Sequence, residues 1–348
     1  MIVEAMKTGC FILHASNVHN GGGLTLLKAL IDVLPDQACL IVDERLPIAD
    51  DELSRFQLYR IKPTLWHRFK AEMLLKRLAG ESDSVLCFGN LPPLFHLSAR
   101  VTLFIQNRYL VEPESIKSAP LKLRLKLTIE RLWLSCFQHN ANKVLVQTPS
   151  MKALSCKYVS TPVIVAPFAS SPDLLIKQDS GGDEVKKYDF IYVASGELHK
   201  NHRNLLDAWV ELAKEGVFPN LCLTVSSSSF PQVAELIARK KKEYNLKIDN
   251  LGSVPADDVA RMYCSTRTLI FPSILESFGL PLIEARNAGL KIVASELDYV
   301  RDLLDPEETF DPLSSVSIAR AIRRLMKIED KVFTLLTAEK FIELTKSD

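Results

Sequence analysis

The sequence predicts an α/β fold of two similar domains, each a parallel sheet covered by helices on both faces, that meet across a cleft. Short apolar runs alternate with amphipathic helical stretches along most of the chain, and this rhythm is typical of parallel sheets. The length of 348 residues suits two domains better than one core. The alternation breaks between Phe168 and Tyr188, in a stretch rich in serine, glycine and charge, as interdomain connections commonly are.

The first domain is predicted over residues 1–168. It opens with a buried strand at Cys10–Leu13, and apolar residues follow at helical spacing from Leu24 to Leu34. Because strands and helices alternate, we expect the strands to run parallel. Further runs of strand length lie at Ala38–Val42, Ser84–Phe88, Arg100–Ile105, Lys143–Val146 and Val163–Val165.

A linker at residues 169–187 leads to a second domain, predicted over residues 188–325, in which the alternation restarts. The charged segment 326–348 continues a helical pattern that begins near Val316, and we expect a helical tail that packs back toward the first domain. Strand candidates in the second domain are Phe190–Ala194, Leu221–Val225, Leu269–Phe271 and Lys291–Ala294, and helix candidates are Asn204–Ala213 and Val233–Lys241.

Composition and charge exclude several classes of protein. A net charge of +1 argues against a nucleic-acid partner, and 47% apolar residues argue against disorder. Residues 1–7 lack the apolar run of a signal peptide. No stretch reaches the ~18 consecutive apolar residues of a transmembrane helix. We therefore expect a cytoplasmic protein.

The cysteines predict no metal centre and no disulfide. Their number, seven, is odd, and none have the CxxC spacing of zinc sites. Most lie in apolar runs, so we interpret them as buried thiols in a reducing compartment. They are Cys10, Cys39, Cys87, Cys136, Cys156, Cys222 and Cys264.

Two facing α/β domains bind ligands in the cleft beyond the carboxyl ends of their strands. The best-defined motif predicted there follows the strand-to-turn segment Thr268–Ser273. Pro281 suits the first turn of a helix and Gly289 suits its end, so Ser277–Gly279 forms a loop at a helix N-terminus. Free N–H groups and the positive end of the helix dipole favour a diphosphate at such a place.

Two glutamates flank this loop. Glu276 lies in the loop and Glu284 lies one turn inside the helix, so both can reach the same pocket mouth. A carboxylate accepts hydrogen bonds from the vicinal hydroxyls of a ribose or a sugar. The alternative is a pair of ordinary surface glutamates near a helix start.

The stretch Pro272–Ala285 resembles the Glu-x7-Glu signature of the glycosyl transferases group 1 family, which are retaining enzymes with a GT-B fold of two Rossmann-like domains. Asn250–Val254 and Gly289–Ser295 resemble the flanking segments of that family, and the likeness covers most of residues 188–305. It implies that Glu284 binds the donor ribose and that Glu276 is catalytic and contacts the transferred sugar. The donor-binding loop that it implies consists of Ser277, Phe278, Gly279 and Leu280.

A second segment, Tyr192–Arg203, follows the first strand of the second domain. It resembles the family's Gly-Arg-x4-Lys-Asn phosphate site, matching at Lys200 and Asn201, whereas Ser195 stands in place of the family arginine. Lys200 at a strand end can neutralise a leaving diphosphate, and Asn201 suits a helix N-cap. A solvated lysine at a helix start is the alternative. The predicted donor contacts here are Ser195, Lys200, Asn201 and Arg203, with Arg203 or His199 as a replacement for the missing arginine.

The first domain has a glycine-rich loop, Ser16–Leu24, after its first strand. Gly22 and Gly23 allow a close approach of the backbone to a ligand, and the resemblance implies a position facing donor phosphates or the acceptor. An ordinary turn is the alternative. Gln147–Ser150, at the end of a later strand, is a further cleft candidate or a rim segment.

Gln106, Asn107 and Arg108 follow another strand of the first domain. Members of the family often carry a histidine at about this place, and glutamine is a poor general base. We predict that Gln106 hydrogen-bonds the reacting sugar and that Asn107 and Arg108 lie on the acceptor side. Core or rim residues are the alternative.

Leu121–Trp133 is both basic and apolar, a composition that suits an anionic membrane surface. In the first part of this segment, apolar and basic residues alternate with a period nearer to two than to the helical period of about 3.6 residues, so a helix is not clearly predicted. The alternative to peripheral contact with the inner membrane is an element that packs its leucines on the core and exposes its lysines.

The predicted function is metal-independent, retaining hexosyl transfer from a nucleotide-diphosphate sugar to a saccharide or lipid-linked acceptor, in bacterial surface polysaccharide synthesis. No carboxylate nucleophile is evident, which favours same-face substitution. No Asp-x-Asp pair suits a metal, since Asp257 and Asp258 fit a helix start, and we expect no cofactor. The alternatives are a non-catalytic nucleotide- or carbohydrate-binding protein and a sugar-nucleotide epimerase. A dinucleotide-dependent dehydrogenase is disfavoured, because its GxGxxG fingerprint is absent.

Overall fold

A computed structural model of the protein describes residues 9–112, 121–168 and 186–328. Two parallel sheets, one in each half of the described chain, confirm the predicted α/β fold. The predicted linker lies outside the described residues except for Lys186 and Lys187, and so does the tail from residue 329 onward.

The first sheet has the strand order β3-β2-β1-β4-β5-β6-β7. Its strands are β1 (Phe11–Ala15), β2 (Cys39–Asp43), β3 (Gln57–Ile61), β4 (Ser84–Cys87), β5 (Arg100–Phe104), β6 (Lys143–Val146) and β7 (Val163–Val165). The order reverses between β1 and β4, which is where an open parallel sheet leaves a crevice at its carboxyl edge.

Helices cover both faces of this sheet. They are α1 (Gly21–Val33), α2 (Leu65–Leu78), α3 (Leu121–Phe137) and α4 (Pro149–Ser155). Leu26 and Leu27 of α1 pack into one core cluster. Leu75 of α2, Leu134 of α3 and Met151 of α4 share another. These three helices therefore lie together on one face, as right-handed crossovers in the same direction require.

The second sheet has the order β10-β9-β8-β11-β12-β13. Its strands are β8 (Tyr188–Tyr192), β9 (Leu221–Leu223), β10 (Ile248–Asn250), β11 (Thr266–Phe271), β12 (Lys291–Ser295) and β13 (Glu308–Phe310). Its helices are α5 (His202–Lys214), α6 (Pro231–Glu243), α7 (Ala256–Cys264), α8 (Leu280–Asn287), α9 (Asp298–Arg301) and α10 (Ser315–Leu325). The order reverses between β8 and β11, so the loops after these two strands meet.

Several predicted elements needed correction. Helix α1 begins at Gly21 rather than at Leu24. The segment Leu121–Phe137 is a helix, although the period-two pattern had left its type open. Strand β3 and helix α2 were not predicted. Helix α2 carries apolar residues around most of its circumference and shows no clear helical period. Asp257 and Asp258 lie in the first turn of α7, which begins at Ala256, in agreement with the predicted helix start.

All seven cysteines are free thiols. Burial was predicted for most of them, but only Cys39, Cys87 and Cys222 are buried, and Cys136 and Cys156 are exposed. Both exposed thiols lie at the ends of helices, where apolar neighbours in the sequence do not face the core.

Candidate active site

A pocket of about 400 Å³ lies between the two domains at the reversal points of both sheets. On the first domain it is lined by the segments that follow β1, β4 and β5, and on the second by the segments that follow β8 and β11. Several of the chain segments predicted to line the cleft therefore meet in one place. Their lining residues include Gly22, Gly23, Gln106, Asn107, Arg108, His199, Glu276 and Ser277.

An ion pair between Lys200 and Glu276 joins the two loops of the second domain. Lys200 Nζ lies 2.6 Å from Glu276 Oε1, and the side chains are 19% and 13% exposed. Lys200 ends the turn after β8 and Glu276 follows β11, so the adjacency of these strands explains why residues 76 positions apart meet. Glu276 lines the pocket, and Lys200 contacts Glu276 without being one of the lining residues.

The Lys200 turn is anchored from beneath. The buried Tyr192 hydroxyl donates to the carbonyl of Lys200 at 2.8 Å, and burial raises the pKa of this tyrosine well above its ordinary value, so it remains a donor. The next residue, Asn201, adopts a left-handed conformation with φ of 61°. This turn positions Lys200 independently of any ligand.

Asn201 does not act as predicted. It occupies the N-cap position of α5 but makes no side-chain cap. Its amide is buried and donates instead to the carbonyls of Pro272 at 3.0 Å and Pro312 at 2.7 Å. The side chain thus ties the Lys200 turn to the segment before Glu276 and to Pro312, and Asn201 is not among the residues that line the pocket.

The loop before α8 is held by similar bonds. The Ser273 hydroxyl and the Ile274 amide donate to the carbonyl of His199 at 3.1 and 2.8 Å, and the Tyr299 hydroxyl donates to the carbonyl of Ser273 at 2.8 Å. Both glutamate-bearing and lysine-bearing loops are therefore braced against each other before any substrate binds.

Gly279 is the N-cap of α8 and has φ of 87°, a conformation that residues with a Cβ adopt at a cost. Pro281 lies in the first helical turn and Gly289, at φ of 78°, follows the end of the helix, as predicted. Phe278 is buried, with 5% of its surface exposed, so its side chain belongs to the core and only its backbone faces the loop.

Glu284 lies apart from the Lys200–Glu276 pair, on α8. Its carboxylate accepts a hydrogen bond from the Tyr263 hydroxyl at 3.4 Å. Burial raises its pKa above the ordinary value for a glutamate. A half-buried carboxylate with one weak donor has room for further donors, but Glu284 is not among the residues that line the described pocket.

Gly22 and Gly23 lie inside the first turn of α1 rather than in a loop before it. A Cβ at Gly23 would lie 3.3 Å from Gln106 Oε1, and one at Gly22 would lie 3.6 Å from Leu280 Cδ1. Leu280 of the second domain also packs against a core cluster of the first domain. The glycines therefore permit the N-terminus of α1 and that of α8 to approach each other across the cleft.

Carboxamides dominate the first-domain side of the pocket. Gln106 donates from Nε2 to the carbonyl of Phe88 at 3.0 Å, and its backbone N–H donates to Asn90 Oδ1 at 2.7 Å. Asn17 Nδ2 donates to the carbonyl of Gly89 at 2.8 Å, whereas Asn17 Oδ1 is buried and has no hydrogen-bond partner among the described residues. Asn17 and Asn90 were not predicted, although Asn90 could have been found because it follows a strand end.

Asn107 and Arg108 differ in what they reach. Asn107 Oδ1 accepts from the backbone of Tyr109 at 3.1 Å and shapes the local turn. Arg108 is paired with Glu112 at 2.8 and 3.1 Å and also lies 3.4 Å from the carbonyl of Glu276, across the cleft. Arg108 was predicted on the acceptor side, and the structure places its guanidinium against the carbonyl of Glu276 in the second domain.

Two histidines near the Lys200 turn are uncharged at neutral pH. Burial and the neighbouring Lys200 lower the pKa of His199 to about 4, and His199 stands edge-on to the ring of Tyr109 with 5.9 Å between centroids. Burial likewise lowers the pKa of His202 to about 4. His202 Nε2 lies 2.7 Å from the carbonyl of Ser195, which fixes Nε2 as the protonated nitrogen.

Ser195 and Arg203 do not line the pocket. The Ser195 hydroxyl bonds the carboxylate of Glu197, and Arg203 is exposed on α5. Arg203 therefore does not replace the missing arginine in this conformation. Gln147–Ser150 also lies off the pocket: Thr148 caps α4 by accepting from Met151 at 3.1 Å, and the Ser150 amide donates to Asp302 of the second domain at 2.9 Å.

Within the described ranges, no group of three or more His, Cys, Asp and Glu side chains is placed to hold a metal ion. None of the helices in those ranges is both long and apolar enough to cross a bilayer.

Comparison with known proteins places residues 176–346 in a match to the family model "Glycosyl transferases group 1". O-antigen chain mannosyltransferase B from Escherichia coli is 31% identical over 116 residues, which cover 33% of this chain and 30% of that protein. Serotype-specific mannosyltransferase WbdA from Escherichia coli is 28% identical over 144 residues, 41% of this chain and 18% of that one. The aligned part thus spans less than a third of either relative.

Solved structures of the same fold cover nearly the whole chain. HepE from Anabaena in complex with UDP and glucose superposes with a TM-score of 0.64 at 14% identity, over 92% of this chain and 90% of that one. Sucrose-phosphate synthase from Thermosynechococcus elongatus gives 0.67 at 15% identity over the same shares. Both likenesses establish the two-domain fold, including the first domain, where sequence similarity is thin.

Proposed function

The chain belongs, through its C-terminal half, to the glycosyl transferases group 1 family with a GT-B fold, and from this premise we propose that it transfers a hexose from a nucleotide-diphosphate sugar with retention of configuration. The single observation that carries the proposal is the 2.6 Å ion pair between Lys200 and Glu276, of which Glu276 lines the interdomain pocket. It sets a cation for the diphosphate beside a carboxylate for the sugar hydroxyls.

The diphosphate would lie between the N-termini of α1 and α8. Gly22 and Gly23 on one side and Ser277 on the other line the pocket, and first-turn amides have no partners inside their own helices. Lys200 adds a full positive charge to these dipoles. When the bond from the anomeric carbon to the phosphate oxygen breaks, negative charge develops on that oxygen, and Lys200 stabilises it.

The same-face course is supported by the residues that line the pocket. Among those that the structure describes, Glu276 is the carboxylate present, and its Oε1 is engaged by Lys200. In the proposed step the acceptor oxygen forms its bond to the anomeric carbon on the face that the diphosphate leaves. The acceptor proton passes to the departing diphosphate oxygen, so no side chain must serve as a base.

We assign the donor ribose to Glu284. Its carboxylate has one long hydrogen bond, from Tyr263 at 3.4 Å, and its pKa is raised by burial. Two ribose hydroxyls would supply the donors that this environment lacks and would favour the ionised form.

The acceptor would enter on the first-domain side, against Asn17, Asn90 and Gln106. Carboxamides both donate to and accept from hydroxyl groups, which suits a saccharide, free or lipid-linked. The similarity to O-antigen mannosyltransferases supports a role in bacterial surface polysaccharide synthesis on the cytoplasmic side of the membrane.

Thermal unfolding with UDP, GDP, ADP and their sugars tests the donor site. A ligand at 100 times its Kd stabilises by about 2.7 kcal/mol, so one nucleotide class should raise the melting temperature clearly. Glu284→Ala should abolish that rise, and Glu308→Ala, another glutamate of the second domain, should not. Stabilisation of Glu284→Ala equal to that of the wild type would refute the ribose assignment.

Turnover is measured separately, as release of nucleoside diphosphate in the presence of acceptor extracts, with and without EDTA. We expect release that EDTA does not reduce. Donor binding with no transfer to any acceptor would instead identify a non-catalytic binding protein. The replacement of the family arginine by Ser195 would then explain the lack of activity.

A further inference from the structure

Helices α2 and α3 form one continuous outer surface of the first domain. Leu75 and Leu134 pack into the same core cluster, and the guanidinium of Arg68 on α2 lies 5.8 Å from the centre of the Trp133 ring on α3. Phe69 on α2 also contacts Phe95 of the β4–β5 connection, with 6.1 Å between ring centroids. We call the solvent-facing side of these two helices the α2–α3 surface.

Large apolar side chains protrude from this surface. On α2, Leu65 is 89% and Trp66 62% exposed, and Phe69 and Met73 are exposed beside them. Trp66 and Phe69 stack with 6.0 Å between centroids, so they form one aromatic ridge. Nothing in the described chain covers them.

Helix α3 continues the pattern. Leu121 is 79% and Leu125 65% exposed, and Ile129 and Leu132 follow on later turns. A helix whose apolar residues pack on the core buries them, yet only Leu127 and Leu134 of α3 are buried. The remaining leucines need another apolar partner.

The charges of the α2–α3 surface have one sign. Lys70, Lys76 and Arg77 are exposed on α2. Lys122, Arg124 and Lys126 are exposed on α3. The acidic residues of the two helices are not exposed on this surface, since Glu72 is buried and Glu130 is half-buried near Lys126. This segregation stands out in a chain with 43 basic and 42 acidic residues.

We propose that the α2–α3 surface docks onto the headgroup layer of an anionic lipid bilayer. Trp66, Phe69 and the α3 leucines would enter the boundary between headgroups and acyl chains, and the six basic side chains would contact lipid phosphates. Contact with a second copy fits worse, because a two-fold interface would bring the same basic residues face to face.

The surface lies close to the pocket. Arg131 of α3 donates from Nε to the carbonyl of Tyr109 at 3.0 Å, and Tyr109 lines the pocket. A docked protein would therefore hold its pocket near the bilayer. Membrane docking itself does not depend on any reaction in that pocket.

Cosedimentation of the full chain with vesicles tests the proposal. We expect binding to vesicles of phosphatidylcholine mixed with phosphatidylglycerol, loss of binding as salt is raised, and little binding to phosphatidylcholine alone. Lys122→Gln combined with Arg124→Gln should weaken partitioning about 25-fold, or about fivefold for each charge. Arg239→Gln combined with Lys242→Gln, two exposed bases of α6, should have no effect.

The apolar part has its own matched pair. Leu125→Ser should weaken binding about tenfold, whereas Leu313→Ser, at a leucine of the second domain that is 72% exposed, should not. Vesicles should shift the tryptophan fluorescence to shorter wavelength. Trp66→Phe should remove most of this shift while binding persists, since the other tryptophans, Trp133 and Trp209, are less exposed.

Equal binding to neutral and anionic vesicles, or no binding to either, would overturn the proposal. So would a dimer in solution that Leu125→Ser dissociates, because the surface would then bind a second copy. Nucleotide-dependent thermal shifts of the same variants keep the two proposals separate: a variant that loses vesicle binding should retain its donor response.

Discussion

At the scale of single residues, the pocket is governed by charges that are already paired. Lys200 and Glu276 neutralise each other at 2.6 Å, and Arg108 is held by Glu112 at 2.8 Å. A pocket balanced in this way does not repel an uncharged sugar, and a diphosphate gains the charge of Lys200 only by drawing Lys200 away from Glu276. The pair therefore links donor binding to release of the Glu276 carboxylate for sugar hydroxyls.

Lys200→Gln should lower kcat of transfer by about 100- to 1,000-fold, the usual cost of losing one group that stabilises developing charge. Lys242→Gln, at an exposed lysine of α6, serves as the control. Steady-state assays with the nucleotide sugar identified by thermal shift provide the measurement. A variant with full activity would show that Lys200 only balances Glu276.

The pH dependence of stability should reveal His202. Its folded pKa is about 4, below the ordinary 6.5, so in the window between these values the unfolded state binds more protons than the folded state. Stability contributed by neutral His202 is therefore complete above pH 6.5 and is lost as pH falls toward 4, by about 3 kcal/mol in total.

Urea unfolding of the wild type and of His202→Asn across this window provides the check. The variant should show a flatter decline, whereas His139→Asn, at an exposed histidine, should follow the wild type. Parallel curves for all three proteins would mean that His202 does not titrate as its burial implies.

At the scale of elements, function depends on two strand–loop–helix units that the strand order brings side by side. The units after β8 and β11 share hydrogen bonds through Asn201, Ser273 and the carbonyl of His199. Tyr192 and Tyr299 anchor them to the core. A change at one loop is therefore expected to disturb the other.

Gly279→Ala tests this coupling at the start of α8. The left-handed conformation costs about 1–2 kcal/mol for a residue with a Cβ, and this Cβ would lie 3.1 Å from Leu282 Cδ1. We expect lower stability and weaker donor binding by calorimetry. Gly216→Ala, at φ of 80° with nothing within 4 Å, should cost similar stability but leave donor affinity unchanged.

At the scale of the whole molecule, polar contacts between described residues join the two domains. The Ser150 amide, at the N-terminus of α4, donates to Asp302 Oδ2 at 2.9 Å, and Arg108 reaches the carbonyl of Glu276 at 3.4 Å. Leu280 adds an apolar contact. Opening and closing of the domains around substrates would break and re-form these contacts.

Asp302→Ala should shift the protein toward an open arrangement, because a carboxylate at a helix N-terminus contributes about 0.5–2 kcal/mol. Small-angle X-ray scattering without ligand should show a larger radius of gyration, and KM for the donor should rise with little change in kcat. Asp298→Ala, at an exposed residue of α9, the short helix that ends just before Asp302, should match the wild type. An unchanged radius would indicate that other contacts hold the domains together.

Sequence periodicity by itself determined the two parallel sheets and placed most strands within about two residues. A buried strand is a short apolar run in the sequence, and this signal is local and does not depend on what the strand packs against. The motif around Glu276 could also be predicted from the sequence, since the signals for its strand, turn and helix are local. Helix α2 was missed because its solvent-facing side also carries apolar residues, so its sequence shows no helical period that distinguishes a buried face from an exposed one.

Only the tertiary structure decided which of these residues act together. Lys200 meets Glu276, and the Asn201 amide bonds the carbonyls of Pro272 and Pro312, because strand order joins segments far apart in sequence. Burial, which lowers the pKa of His199 to about 4, likewise depends on neighbours from both domains. Local sequence pattern specifies the helices and strands, whereas contacts between distant segments specify the charge, the exposure and the neighbours of each side chain.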